Sequence, residues 1–361
     1  MNILLIGGSG SFINNLIIKL NKEGHRIYLL TGSRYKQAPY QKVFERYDFT
    51  YDCTCLDEIF KSIDPDLTLF MGAHDTNFRW QEEKDAVRFS ASLMNILMAY
   101  SMNNVGRFIF LSSDEVYGYD YDRFITEESP TAPSSLRGMV IAQGEELCRS
   151  FRVNRGLDIL TLRIDNIYNI PQERKDVNNI CARMCIEALE TGKITITHDQ
   201  WMSFMYETDA VEFIYRFIQV DSQKYSIYNL SVSEAVSELE IAQMVRESLG
   251  GDIEIVHTEK MGQRRVLSNN RMYEEFKIPL ICDLEAIIQR MAEHIKKNSH
   301  IFLNGEQQKL PLWKRIMNKA GWFIRAMIPF VENLICFIPF LMINNRTADS
   351  AYFAHLVLYL L

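Results

Sequence analysis

At 361 residues, 47% apolar and 24% charged, the chain has the make-up of a globular protein long enough for about two domains. A net charge of −7 gives no electrostatic footing for nucleic acid, so no nucleic-acid partner is expected. The seven cysteines include Cys53/Cys55 and Cys181/Cys185 but no C-x-x-C pair; no metal site is expected, and the thiols read as those of a reducing, cytosolic compartment.

In chain order, "MNILLIGGSG" reads as a short buried strand ending in glycines, with no basic region of the kind that opens a signal peptide. "FINNLIIKLNKEGH" follows with Leu16, Ile17 and Leu20 at helical spacing and Gly24 as its stop. "HRIYLLTG", "PDLTLFMGA", "VGRFIFLSSDEVYG" and "LDILTLRIDNIY" read as further strands, with a helical stretch over about residues 81–104. Continuous apolar strands separated by helices predict an α/β fold: a doubly wound parallel sheet covered on both faces.

The composition changes near residue 300. Residues 301–312 read as a polar linker, and 313–361 as a membrane-associated helical segment. The apolar stretch 326–343 is about long enough to cross a hydrocarbon core, although Glu332, Asn333, Pro329 and Pro339 interrupt it. Trp313, Trp322, Lys314, Arg315, Lys319 and Arg325 resemble an interfacial belt with its positive flank inside. The expectation is a cytoplasmic domain, residues 1–300, anchored to the cytoplasmic membrane; the alternative is an interfacial or core-packing helix. The terminal "YFAHLVLYLL" reads as the start of another span.

Gly7-x-x-Gly10-x-x-Ile13 lies between the first strand and its helix. Such a turn lets backbone approach a pyrophosphate, and the helix start at Ser11 and Phe12 offers free N–H groups to the anion. Ile13 stands where a glycine normally lets helix and sheet close up, so the helix is expected to stand off or tilt. The end of the second strand carries Arg34 and no carboxylate, which favours NADP over NAD. A Rossmann-like shell without cofactor is the other reading of the same turn.

In the order and spacing of its motifs, the chain resembles the extended short-chain dehydrogenase/reductases, in the NAD-dependent epimerase/dehydratase branch that acts on nucleotide sugars. The motifs are "GGSG", "DLTLFMGA", "FLSSDEVYG", "LRIDNIYN", "SFMYETDAV" and "YNLSVSEAVSELEIAQMV", over roughly residues 1–298. The resemblance implies a Rossmann domain with a small C-terminal substrate subdomain, mainly residues 169–200 and 252–298. It places Ala73 beside the dinucleotide and Asn166 on the sugar-nucleotide diphosphate. Arg264 and Arg265 fall where the family has a phosphate-binding Arg, and Tyr206 is expected to pack the hinge between domains.

"SDEVYG" is similar to the T-D-E-V-Y-G segment of sugar-nucleotide 4,6-dehydratases. That likeness implies Ser113 on the sugar O4, Asp114 as acid on the leaving hydroxyl and Glu115 as base toward the C5 proton. The family's next motif is P-x-S-P-Y-G-x-S-K. Aligned on Pro133, Ser135 and Gly138, its Tyr falls on Arg137 and its Lys on Ile141. An Arg cannot accept the proton, and an Ile supplies no positive charge. Tyr117, Tyr119 and Tyr121 have no Lys four residues on, and Phe89 stands where the family places an Asn near the site.

Two functions follow. The first is a membrane-tethered binding or regulatory module without the usual turnover, in a cell-surface polysaccharide context. Its partners would be a nucleotide sugar, a second copy of the chain or a membrane complex. The alternative is an active nucleotide-sugar epimerase, 4,6-dehydratase or reductase that uses a non-standard base.

Overall fold

The computed structural model describes residues 1–8, 10–31, 42–45, 53–74, 82–103, 105–118, 122–232, 234–257, 261–278 and 282–303. The chain opens with β1 (Asn2–Ile6), α1 (Ser11–Lys22), β2 (Arg26–Thr31) and β3 (Lys42–Glu45). It continues through α2 (Cys53–Ile63), β4 (Leu67–Phe70), α3 (Glu83–Asn103) and β5 (Arg107–Ser113). Next come β6 (Asp122–Ile125), α4 (Leu136–Arg155), β7 (Ile159–Ile164) and β8 (Ile167–Tyr168).

β1, β2, β4, β5 and β7 are the five strands expected from the sequence. With β3 and β12 (below) they form one parallel sheet, in the order β12-β7-β5-β4-β1-β2-β3. Alternation of side chains between two covered faces explains why the central strands are mostly apolar at successive positions. Ile3 and Leu5 point into one core, while Leu4 and Ile6 point into the other. The first core is closed by α1 and by α6; the second is closed by α2, α3 and α4. Strand order reverses between β1 and β4, which opens a crevice at their C-terminal ends.

The second half runs α5 (Ile180–Thr191), β9 (Lys193–Ile196), β10 (Asp199–Met202), β11 (Met205–Tyr206), α6 (Glu207–Ile218) and β12 (Ile227–Leu230). It ends with β13 (Val236–Ser237), α7 (Glu238–Leu249), β14 (Glu254–His257), β15 (Met261–Leu267), α8 (Asn270–Phe276) and α9 (Leu284–Lys297). Helices α5, α7 and α9 pack on one another to make a small lobe. That lobe draws on Val236–Leu249 as well as on the two segments expected from the sequence. Local signals set its helix ends: Asn179 caps α5, a Ser237/Glu240 capping box starts α7, and Asp283 caps α9.

Both parts belong to one compact unit, Met1–Phe302. From residue 304 on, the expected linker and the whole segment 313–361 lie outside the described residues. Among the described residues, no helix is long and apolar enough to cross a membrane.

The fold corrects the expectation for Ile13. Its side chain is fully buried beside Gly8, where an added Cβ would stand 3.1 Å from Ile13 Cγ1 and Cδ1. The glycine at position 8 supplies the room that position 13 takes up, so α1 still seats its apolar face in the core.

Candidate active site

At the crevice, Gly7 and Gly10 adopt φ of +73° and +95°, values that favour glycine. A Cβ on Gly7 would press to 3.2 Å against Gly72, in the short 3₁₀ turn Gly72–His74 after β4. Above Gly10 there is open space, with nothing within 4 Å of an added Cβ. No side chain caps α1, and its first turn holds no acid. This is the geometry in which a helix start receives an anion. Ser11 Oγ donates to Glu207 Oε2 at 2.9 Å and accepts from Asn169 Nδ2 at 2.6 Å. Phe12 stands edge-on to His74, ring centroids 6.5 Å apart. Arg34 lies outside the described residues.

β5 ends at Ser113, whose Oγ accepts from Glu115 N at 3.3 Å and donates to Asp114 Oδ1 at 3.0 Å. The start of α4 is pressed against this turn: a Cβ on Gly138 would come to 2.6 Å from Glu115 O. Arg137 therefore reaches straight into the crevice. Its Nη1 pairs with Glu115 Oε1 and lies 3.4 Å from Ser113 Oγ, while Nη2 donates to Ala73 O at 2.8 Å. Ser135 Oγ donates to the other oxygen of Glu115 at 2.7 Å. Ile141, one turn along α4 from Arg137, is fully buried in the apolar core.

Behind this cluster, Asp114 forms an ion pair of 2.7 Å with Arg265 Nη2. Asp165, at the end of β7, is buried close to Asp114; burial first, and then the Asp114 charge, push its carboxyl up to about 6. It accepts from Ser231 Oγ at 2.7 Å, from Asn166 N at 2.8 Å and from Ser203 Oγ. His74 Nε2 lies 2.9 Å from Ser112 O. Burial and the neighbouring Arg137 lower its imidazole to about 4, so the ring is neutral at pH 7.

A cavity of about 650 Å³ opens beside the site, lined by Asn166, Tyr168, Asn179, Arg183 and Gln200 among others. Asn166 thus faces a pocket of ligand size. Arg265 pairs its guanidinium with Asp114. Arg264 contributes backbone to β15, opposite Asp122 and Trp201. Phe89 is corrected. It packs between Phe70 and Phe110, centroids 5.6 and 6.5 Å away, inside the core and not at the site. Tyr206 lies against Tyr168 with the rings tilted by 60° and centroids 5.4 Å apart, where β11 pairs with β8. The sequence reading missed Arg183, His74, Asp165 and Glu207. Asn179 and Arg183 stand one turn apart at the start of α5, a spacing that could have flagged the first of these.

A model of the NAD dependent epimerase/dehydratase family matches residues 3–231. The chain belongs to this family. Among its relatives is a dTDP-glucose 4,6-dehydratase of Streptomyces niveus, 24% identical over 45% of this chain and 47% of that protein. A UDP-glucose 4-epimerase of Lactobacillus helveticus is 23% identical over 73% of this chain and 86% of its own. The chain thus spans about half the length of the S. niveus dehydratase. In fold it is similar to the UDP-glucose 4-epimerase of Thermotoga maritima solved with UDP-glucose, at a TM-score of 0.70 and 20% identity over 83% of this chain and 100% of that one. The dTDP-glucose 4,6-dehydratase of Bacillus anthracis, solved with NAD, superposes at 0.68 and 19% identity over 84% and 98%.

Proposed function

We propose that the chain binds a nucleotide sugar and a nicotinamide dinucleotide but does not run the family's Tyr/Lys-dependent reaction. The observation that carries this reading is the position of Arg137. Its guanidinium bridges Ser113, Glu115 and the Ala73 carbonyl where the resemblance places the phenolic base. A bound nicotinamide supplies a hydride acceptor or donor, but a base is still needed at the sugar hydroxyl. A guanidinium, always protonated, gives none. Tyr117 does not substitute for it: its hydroxyl is buried between Arg163 and Asn229, and burial pushes the phenol up to about 12.

The residues around the crevice suit binding. The glycine turn and the uncapped α1 fit a pyrophosphate. Asn166 and Arg183 line a cavity of about 650 Å³, the size of a small-molecule site. Arg34, in place of a carboxylate, favours NADP over NAD within this reading. The basic, aromatic and apolar stretch 313–361 would tether the domain to the cytoplasmic face of a membrane, in the polysaccharide setting in which nucleotide sugars are used. A low-salt glycan biosynthesis protein of Haloferax volcanii, 24% identical over 41% of this chain, is among the relatives.

A second reading has one observation in its favour. His74 is a neutral imidazole beside Arg137 with a nitrogen able to accept a proton, though burial and that charge make it a weak base. An enzyme built on it would use His74 in place of the phenol.

One experiment separates the two. The full chain is titrated with UDP-glucose and dTDP-glucose in a calorimeter, then incubated with each sugar and NAD or NADP while nicotinamide absorbance and sugar products are followed. Binding without turnover supports the first reading. Turnover that disappears in His74→Gln supports the second, and no binding of any sugar nucleotide sinks both.

A further inference from the structure

Glu207, the first residue of α6, lies against the dinucleotide turn. It is buried, with its carboxylate held by the hydroxyl of Ser11, the first residue of α1, at 2.9 Å. Ser11 Oγ in turn accepts from Asn169 Nδ2 at 2.6 Å. Its partner Ser11 is neutral, and among the described residues Glu207 forms no ion pair. Burial is the larger influence and raises the carboxyl, while the hydroxyl donor works to lower it. The start of α1, which carries Ser11, has no acid of its own in its first turn and no side-chain cap. Its free N–H groups are the ones a pyrophosphate would use, and Glu207 is the anion that already sits beside them.

The geometry points to Glu207 as a built-in electrostatic competitor that sets how tightly this chain holds a dinucleotide. The inference rests on the dinucleotide-binding reading above and goes beyond it, by naming the residue that limits affinity. A pyrophosphate approaching the first turn of α1 meets the Glu207 carboxylate, which reaches that turn through its bond to Ser11. Replacing the carboxylate by a neutral side chain of the same length keeps the packing and removes the repulsion between the two anions.

The test uses the full chain as wild type, Glu207→Gln and Glu207→Met, with folding of each checked by circular dichroism and melting. NADH binding is read from nicotinamide fluorescence, and binding of adenosine, which lacks the pyrophosphate, from calorimetry. NADH should bind about tenfold more tightly to both variants, a change of about 1.4 kcal/mol, while adenosine affinity stays the same. If either variant folds and binds NADH no more tightly than wild type, the Glu207 assignment is wrong and the dinucleotide reading stands. Equal tightening of NADH and adenosine would also overturn it, since charge would not be the cause. Failure of every protein to bind either NADH or NADPH at millimolar concentration would overturn both readings.

Discussion

Arg265 and Asp114 form an ion pair, 2.7 Å between guanidinium and carboxylate, that ties β15 to the turn after β5. The pairing of β15 with β6 brings Arg265 to this position. Asp114 is 4% exposed at its side chain and Arg265 13%, so neither charge is left to water. Removing one partner leaves the other buried and uncompensated, which typically costs about 3–5 kcal/mol. Arg265→Leu should therefore destabilise the chain by about 3 kcal/mol in urea denaturation. Adding Asp114→Asn should restore most of that loss. An Arg265→Leu protein as stable as wild type would show that the pair does not hold the turn.

The cavity gives a binding prediction. Arg183 presents a guanidinium beside Asn166 and Asn179, and such groups are suited to phosphate. Arg183→Ala should weaken UDP-glucose binding about tenfold, or about 1.4 kcal/mol, without moving the melting temperature. Arg265→Lys, which keeps a charge against Asp114, should leave the affinity unchanged. The opposite ranking in calorimetry would assign the phosphate role to Arg265.

Installing the family's base pair is harder than the alignment suggests. Arg137 already faces the crevice, so Arg137→Tyr places a phenol there. Ile141 is fully buried in an apolar cluster, so Ile141→Lys puts an ammonium among hydrocarbons. A Lys in such a place loses several pKa units, equivalent to roughly 4 kcal/mol of stability. The double variant should melt well below wild type and show no hydride transfer. A double variant that melts like wild type and reduces NAD would mean that this part of α4 opens toward the site.

The sheet was legible because β1, β4, β5 and β7 are mostly apolar on both faces, the pattern of doubly covered strands. The site was legible in part. Ser113, Asp114, Glu115 and Arg137 meet because a strand end, a turn and a helix start follow one another along the chain. The Arg265–Asp114 pair was not legible, because it is set by strand pairing across more than a hundred residues, which spacing does not encode. Phe89 was read as a site position, although Phe89, Leu93, Ile96 and Tyr100 follow the helical spacing of a core stripe. The Gly8–Ile13 exchange of volume and the Glu207–Ser11 contact are likewise pairwise facts, invisible one residue at a time.

The last prediction concerns two opposed proton linkages in the site. Asp165 titrates near about 6 in the folded chain, against roughly 3.9 for an unfolded Asp. Between those values the native chain holds a proton that the unfolded chain has lost, so this group's contribution to stability falls as pH rises. His74 titrates near about 4 when folded, against roughly 6.5 unfolded. Over nearly the same window the unfolded chain holds the extra proton, and stability falls as pH drops. Shifts of about two units each make the two slopes worth roughly 3 kcal/mol apiece, with opposite sign. The wild-type chain should therefore show little net dependence from these groups between pH 4 and 6.5. Asp165→Asn should gain stability relative to wild type as pH rises through this range, because it no longer carries a second buried charge beside Asp114. His74→Gln should gain relative to wild type as pH falls, because nothing there must be charged on unfolding. Urea midpoints across pH 4–7.5 read both differences directly. Curves for either variant that run parallel to wild type would remove the linkage assigned to that residue.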